Sequence, residues 1–473
     1  MILKNINHPF GYHTEKIALM FFPLEKICDE PNGVVIETEN TGGTLCVRAE
    51  VYKSKLSREY TPTESEDMAE AMSLLLYSVL SDLTGFKPPW GILYGVRPAR
   101  LMHAKCDLLG EDGAKEFFRR CLVSEKKIDL AIKVMNSENE IIKLSHDNSF
   151  SLYISIPFCP SRCSYCSFVS HSIENAGDLM EPYVDLLCRE LETKAKAAKS
   201  LGLRLESIYF GGGTPTTLSA SQLGKIMSVI ESSFDLSTLR EYTVEAGRPD
   251  TVTKDKLLRL KKHGVGRISI NPQTFSDEVR ARAGRKHTTK QTFEAFALAR
   301  ECGFDNINTD LIAGLEGDTL ETFKNSVDTA IALGAESITV HNLALKSAAY
   351  LVTENKYYDL KGKALAAEMI DYSQEALTKA GYTPYYMYRQ SKSLGNLENV
   401  GWCKLGKECL YNVFMMDETH TVFAVGAGAV TKLKDSKTGH IERIYNYKYP
   451  YEYNASFDEV LKRIEGIYEF YGA

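Results

Sequence analysis

The 473-residue chain has no apolar run near the roughly 20 residues that a membrane-spanning helix needs. Its opening, "MILKNINHPFGYHTEK", lacks an apolar core followed by a small-residue cleavage site, so no signal peptide is expected and a cytoplasmic location is. A basic surplus is also missing. The 56 Lys and Arg against 62 Asp and Glu leave a net charge of −6, which gives no electrostatic reason to expect nucleic acid. A disulfide framework is not indicated, because the 11 cysteines are odd in number and scattered. Neither GxGxxG nor a P-loop lysine follows any glycine run, so a nucleotide phosphate is not the natural guest. What is present is 44% hydrophobic and 25% charged, enough chain for one large domain and one or two smaller ones.

Residues 1–147 read as a separate α/β domain. "GVVIETEN" and "TLCVRAEVY" are strands around an "NTGG" turn. A helix is expected from Thr61-Pro62 to about Gly85, then a Pro/Gly-rich connection, "KPPWGILYGVRPARL", then helical pattern from about Gly113 to Ser145. From residue 148 to 383 strands alternate with helices through six β/α units, the last interrupted by a longer loop. This alternation predicts a parallel sheet with right-handed crossovers. Six units suit an open, partial (β/α)6 barrel, although a doubly wound sheet fits the alternation equally. Residues 384–473 break the rhythm and read as a C-terminal α+β extension of strands around a Gly-rich turn, closed by one helical tail.

In β/α barrels chemistry collects at the C-terminal ends of the strands. Here the unusual residues fall there in turn. Cys159, Cys163 and Cys166 follow the first strand, and Gly211-Gly212-Gly213-Thr214-Pro215 follows the second. Glu245 ends the third, Asn271 and Gln273 the fourth, Asp310 lies in the fifth, and His341 ends the sixth. The glycines would leave backbone amides bare for a polar ligand group. Three cysteines without a second CxxC do not complete a structural zinc site. Catalytic zinc or a [4Fe–4S] cluster with one open iron both suit three ligands, and the spacing favours the cluster. Tyr165 and Phe168 would shield it from water. Cys403 and Cys409, in "GWCKLGKEC", are not expected to bind metal.

CxxxCxxC after the first strand and "GGGTP" after the second resemble the radical S-adenosylmethionine (SAM) superfamily. "YISIPFCPSRCSYCSF", "IYFGGGTPT", "VEAGRPDTVT", "GVGRISINPQTF" and "NTDLIAGLEGDT" together resemble its oxygen-independent coproporphyrinogen III oxidase family, over roughly residues 150–390. "WGILYGVRPARL" and "GNLENVGWCKLGKECLYN" look like the HemZ-type branch. The resemblance implies a radical SAM barrel in which Cys159, Cys163 and Cys166 hold three irons of a [4Fe–4S] cluster and SAM chelates the fourth. It implies that Tyr153 lines the catalytic and cofactor site, with Gly212, Gly213 and Thr214 by the SAM amino group. Glu245, Gln273, Arg285 and Asp310 would hold ribose and carboxylate, and Ile312 would pack the adenine.

The implied reaction is anaerobic decarboxylation of coproporphyrinogen III propionates to vinyl groups by a 5′-deoxyadenosyl radical. It would need one or two SAM molecules and a one-electron reductant such as flavodoxin or ferredoxin, and a monomer is expected. Arg162, Arg248 and Arg389 are the candidates for pairing substrate carboxylates. The oxidase pattern carries a fourth cysteine two residues after the third, where this chain has Phe168. That departure keeps two alternatives open: a radical SAM enzyme that modifies or degrades heme, with His341 as a possible iron ligand, and a heme-binding carrier.

Overall fold

The structure is a computed structural model that describes residues 1–30, 33–168, 170–345 and 360–472. The longer loop expected before the last helix of the β/α series lies largely outside these residues. The described chain sorts into two compact units. One takes in Met1–Met135 with described parts of Asn342–Tyr372 and Met387–Asn399; the other takes in Asn136–His341, Ser373–Tyr386 and described parts of Val400–Ala473.

The first unit carries a four-stranded sheet, β1 (Ile2–Ile6), β2 (Val34–Thr41), β3 (Thr44–Val51) and β4 (Ser54–Tyr60). β1 runs parallel to β2, and β2 to β4 form an antiparallel meander. Gly42 and Gly43 both have positive φ, 60° and 93°, the two-residue turn that suits the strand twist. The first helix after β4 begins at Met68, not Thr61. Glu66 accepts from the amide and hydroxyl of Thr63, closing a separate turn, and Asp67 caps the helix by accepting from the Glu70 amide. The helix buries Met72, Leu75, Leu76, Val79 and Leu80 on one face and stops at left-handed Gly85. The next helical stretch runs from Pro98 to Arg120 with proline at its first position, and it breaks at Gly110 (φ 72°, ψ 170°), so its second part begins close to the expected start near Gly113.

The second unit holds most of an eleven-stranded sheet. Its strands are β5 (Ser149–Ile156), β8 (Arg204–Gly212), β9 (Glu241–Glu245), β10 (Arg267–Ser269), β11 (Ile307–Ala313), β12 (Ser337–Asn342), β13 (Thr383–Arg389), β14 (Glu398–Cys403), β15 (Thr421–Val425), β16 (Val430–Lys434) and β17 (Ile441–Tyr445). A short parallel pair, β6 (Phe158–Cys159) and β7 (His171–Ser172), ties the two ends of the cysteine loop together. The centre of the large sheet reads β12-β11-β10-β9-β8-β5, chain order with each strand beside its successor. The registered pairs from β5 to β11 are parallel. Helices between them start on reciprocal caps at Ser219/Gln222, Thr288/Gln291 and Thr319/Thr322. Among the described residues this is the (β/α)6 arrangement, with β13 and β17 at the ends of the sheet.

The C-terminal segment departs from its reading in two respects. Its strands join the barrel sheet itself: β15 runs parallel to β5, and β14 runs antiparallel to β12. The ends of the six-stranded series would otherwise expose rows of unpaired N–H and C=O groups. The tail is three short helices, Pro450–Ala455, Phe457–Lys462 and Glu465–Tyr471. Among the described residues no helix is long and apolar enough to cross a membrane.

Candidate active site

Alternation along β5 sets the site. Phe150, Leu152, Ile154 and Ile156 are buried on one face, where Phe150 meets Phe234 at the end of helix Ala220–Ser233. Tyr153 points the other way, paired in register with Tyr209 of β8. The two rings lie 6.2 Å apart at 17°, and a third, Tyr411, stacks on Tyr209 at 4.6 Å and on Tyr153 at 5.9 Å. The Tyr209 hydroxyl donates to Glu245 Oε1 at 2.6 Å.

The glycine run and the cysteine loop are built against each other. Gly213 N donates to Ile156 O and Thr214 N to Phe158 O, each at 2.8 Å. A Cβ on Gly213 would come within 2.7 Å of Phe158 O and 3.0 Å of Cys159 Sγ, and one on Gly211 within 3.0 Å of the Tyr153 hydroxyl. The glycines thus serve close approach to the loop, and the amides of Gly213 and Thr214, expected bare, are taken by the chain's own carbonyls. Thr214 Oγ1 donates to Cys159 Sγ at 3.5 Å.

Arg285 is drawn into the same loop. Nη1 reaches the Tyr165 hydroxyl at 3.0 Å and Cys163 Sγ at 4.0 Å, while Nη2 donates to the carbonyls of Gly247 at 2.9 Å and Asn271 at 2.6 Å. Its Nε is buried without a partner. Arg248 forks onto Asp250 and reaches Ser161 Oγ at 3.1 Å, so it braces the loop from beneath. Both arginines are buried, and Arg248 is not open to a substrate carboxylate. Arg389, in the other unit, donates to the carbonyls of Leu93 and Gly95 with its guanidinium over the Trp90 ring, so it too is engaged; Arg162 is exposed. Tyr165 is tucked under Arg285, whereas Phe168 is 69% exposed and does not cover the loop as expected.

The remaining residues meet at the ends of β9 to β12. Asp310 N donates to Asn271 Oδ1 at 3.2 Å, Gln273 N to Asp310 O at 3.0 Å, and Ile312 N to Gln273 O at 2.9 Å. Gln273 holds a left-handed φ of 68°, costly for a non-glycine residue, and its side-chain oxygen is buried without a partner. Asn308 Nδ2 donates to Asp310 Oδ1 at 2.7 Å, and His341 Nε2 lies 3.6 Å from Oδ2. Burial pushes Glu245 up to about 7, against the Tyr209 hydroxyl, with neighbouring Asp310 adding to the rise. Burial would also raise Asp310, but His341 and Asn308 hold it below the usual carboxylate range.

The donor set fits a cluster. Burial raises the Cys159 thiol and pushes Cys166 up to about 11, so forming thiolates there calls for the positive charge that iron supplies. Among the described residues no three His, Cys, Asp or Glu side chains converge as they would around a single ion. Three thiolates serving three separate irons need no such point. The orphaned Gln273 oxygen and a half-buried carboxyl at Glu245 are groups a polar cofactor would satisfy. Cys409 is held 3.3 Å from Glu241 Oε1, and Cys403 lies buried in β14. Neither spacing nor strand-end position points to Tyr209, Asn308 or Tyr411. Tyr209 stands two residues before Gly211 on the same strand face and was findable; Tyr411 carries no local signal.

A (β/α)6 sheet with this cysteine loop at the end of its first strand defines a radical SAM protein, and the Radical SAM superfamily family model matches residues 153–330. That superfamily binds a [4Fe–4S] cluster and SAM. The chain is 35% identical to the oxygen-independent coproporphyrinogen-III oxidase-like protein HemZ of Bacillus subtilis, over 96% of this chain and 95% of that one. The heme chaperone HemW of the same organism is 34% identical over 63% of this chain and 74% of its own length. The coproporphyrinogen III oxidase HemN of Escherichia coli superposes with a TM-score of 0.54 at 23% identity, covering 68% of this chain and 72% of that one, a likeness of fold. The chain belongs to the oxygen-independent coproporphyrinogen-III oxidase-like family of radical SAM proteins.

Proposed function

We propose that this protein carries out the anaerobic oxidative decarboxylation of coproporphyrinogen III, turning two propionates into vinyl groups. The observation that supports it is the extent of the likeness: a relative named for that oxidase family aligns over nearly the whole of both chains, whereas the heme chaperone HemW aligns over 63% of this one. In this reading Cys159, Cys163 and Cys166 hold the cluster irons, and Tyr153, Gly212, Gly213, Thr214, Glu245, Gln273, Asp310 and Ile312 surround SAM. Arg285 holds the loop and offers its unpartnered Nε edge rather than an open fork.

When bound on Cys159, Cys163 and Cys166, the cluster with SAM would supply the one-electron chemistry that removes a hydrogen atom from the propionate β-carbon. The propionate then releases carbon dioxide and passes one electron to an acceptor, leaving the vinyl group. The chain's own part is binding, aim and exclusion of water. The Gly213 amide is already spent on Ile156, which leaves glycine carbonyls as the acceptors for an amino group. Glu245, held up at about 7, can donate to or accept from a ribose hydroxyl near neutrality. The electron comes from a flavodoxin- or ferredoxin-class donor, the protein acts as a monomer, and segments 1–147 and 384–473 flank the catalytic segment 148–383 as accessory parts.

A heme-carrier role is the second reading. HemW likeness and Phe168 in the place of the oxidase pattern's fourth cysteine favour it. The deciding experiment is anaerobic reconstitution with iron and sulfide, reduction, and addition of SAM with coproporphyrinogen III. Formation of 5′-deoxyadenosine with stepwise loss of two carbon dioxide molecules by mass spectrometry is expected. Deoxyadenosine without decarboxylation moves the substrate to heme, and an intact, reduced cluster yielding neither product favours the carrier.

A further inference from the structure

The motif "GWCKLGKECLYN" lies outside residues 153–330 and has no part in the reaction described above. The structure gives it one. Glu241, the first residue of β9, turns its carboxylate onto the start of helix Leu410–Asp417. Oε2 accepts from Leu410 N at 2.7 Å, and Oε1 accepts from Tyr411 N at 3.2 Å and lies 3.3 Å from Cys409 Sγ. A carboxylate at the first turn satisfies amides that no helical carbonyl can reach and complements the helix dipole. The helix is thereby fixed at the N-terminal end of the strands, and its second residue enters the sheet's inner face.

Tyr411 is only 5% exposed there. Its ring, Tyr209 and Tyr153 lie within 23° of parallel. The other two rings are the ones that meet the site: a Cβ on Gly211 would come within 3.0 Å of the Tyr153 hydroxyl, and the Tyr209 hydroxyl donates to Glu245. Removing the third ring would leave a ring-sized void against both, into which either could relax.

We propose that Tyr411 is a positioning residue for SAM, setting the heights of Tyr153 and Tyr209 and, through Tyr209, of Glu245. The inference rests on the reading that Tyr153 and Glu245 face SAM. It makes the C-terminal segment part of the cofactor site without touching the cofactor.

The test uses the full chain with its cluster reconstituted. SAM affinity is measured by equilibrium dialysis, and the reduced cluster's EPR signal is recorded with and without SAM. Iron content and thermal midpoint report folding. Tyr411→Leu is expected to weaken SAM binding about tenfold and to shrink the SAM-induced EPR change, since small misplacements of binding groups carry such effects. Tyr411→Phe, which keeps the ring, should recover affinity to within about twofold. Phe414→Leu is the control: it removes another buried ring of the same helix, tilted against His420 with centroids 4.4 Å apart, and should lower the midpoint while leaving SAM affinity alone. If Tyr411→Leu does not hold its cluster, Tyr411→His replaces it under the same thresholds. Unchanged affinity in the Tyr411 variant, or an equal loss in Phe414→Leu, overturns the inference alone. A parent protein that holds its cluster and binds no SAM overturns the inference together with the reading beneath it.

Discussion

Two glutamates on neighbouring strands have opposite surroundings. Glu206 sits near the start of β8, fully buried, and accepts from Ser149 Oγ at 2.7 Å and from Arg204 and Arg240 at 2.8 Å each. Burial would raise its pKa, but these three donors keep it below the usual range. Glu245 sits at the end of β9 with one hydroxyl for company, and burial drives it up to about 7. The first carboxylate is finished by the fold. The second is left short of donors, at the end of the sheet where the cysteine loop, the glycine run and the orphaned Gln273 oxygen also lie. Unmet polar demand marks the end of the sheet that takes a ligand.

The comparison can be broken first at the ligand end. Cys163→Ala should lose the cluster and reduce 5′-deoxyadenosine formation to background, read by iron and sulfide content and by chromatography, because a cluster held by three thiolates has no spare protein ligand. At the other end, Glu206→Ala should cost about 2 kcal/mol in denaturant unfolding, a figure discounted because both arginines are a third exposed. Among molecules that remain folded, SAM affinity should be unchanged.

Glu245→Gln should do the reverse, weakening SAM binding severalfold while leaving stability near neutral pH equal or higher. The sign follows from linkage. A carboxyl raised from 4.5 to about 7 in the folded state contributes stability below 4.5 that is lost as pH rises through 7. Parent stability should therefore decline over that window more steeply than the variant's. Glu206, depressed on folding, contributes stability that is lost as pH falls. The smallest expected effect is Tyr209→Phe. It removes a hydrogen bond worth about 1 kcal/mol and should shift the Glu245 titration upward, seen in the pH dependence of SAM binding.

Much of this site was legible along the chain because its parts are local. Three cysteines within eight residues, three consecutive glycines, and polar residues at successive strand ends are visible once the β/α rhythm is read. Less legible were the partners of long cations. Arg248 and Arg389 read as free to meet a substrate, but a guanidinium offers five donors, and the fold supplied Asp250 to one and the Leu93 and Gly95 carbonyls to the other. The helix start at Met68 shifted for a smaller reason, since a threonine-proline pair marks a turn as readily as a helix.

By itself the sequence determined the β/α order, the three-cysteine loop and the family, since these rest on periodicity and spacing within short stretches. Tertiary packing alone brings β15 onto β5, Arg285 onto Tyr165 of the cysteine loop, and Tyr411 against Tyr153. Each of those joins residues more than 100 positions apart, and which distant groups meet depends on how unpaired edges and buried donors are satisfied together, a balance that no local pattern encodes.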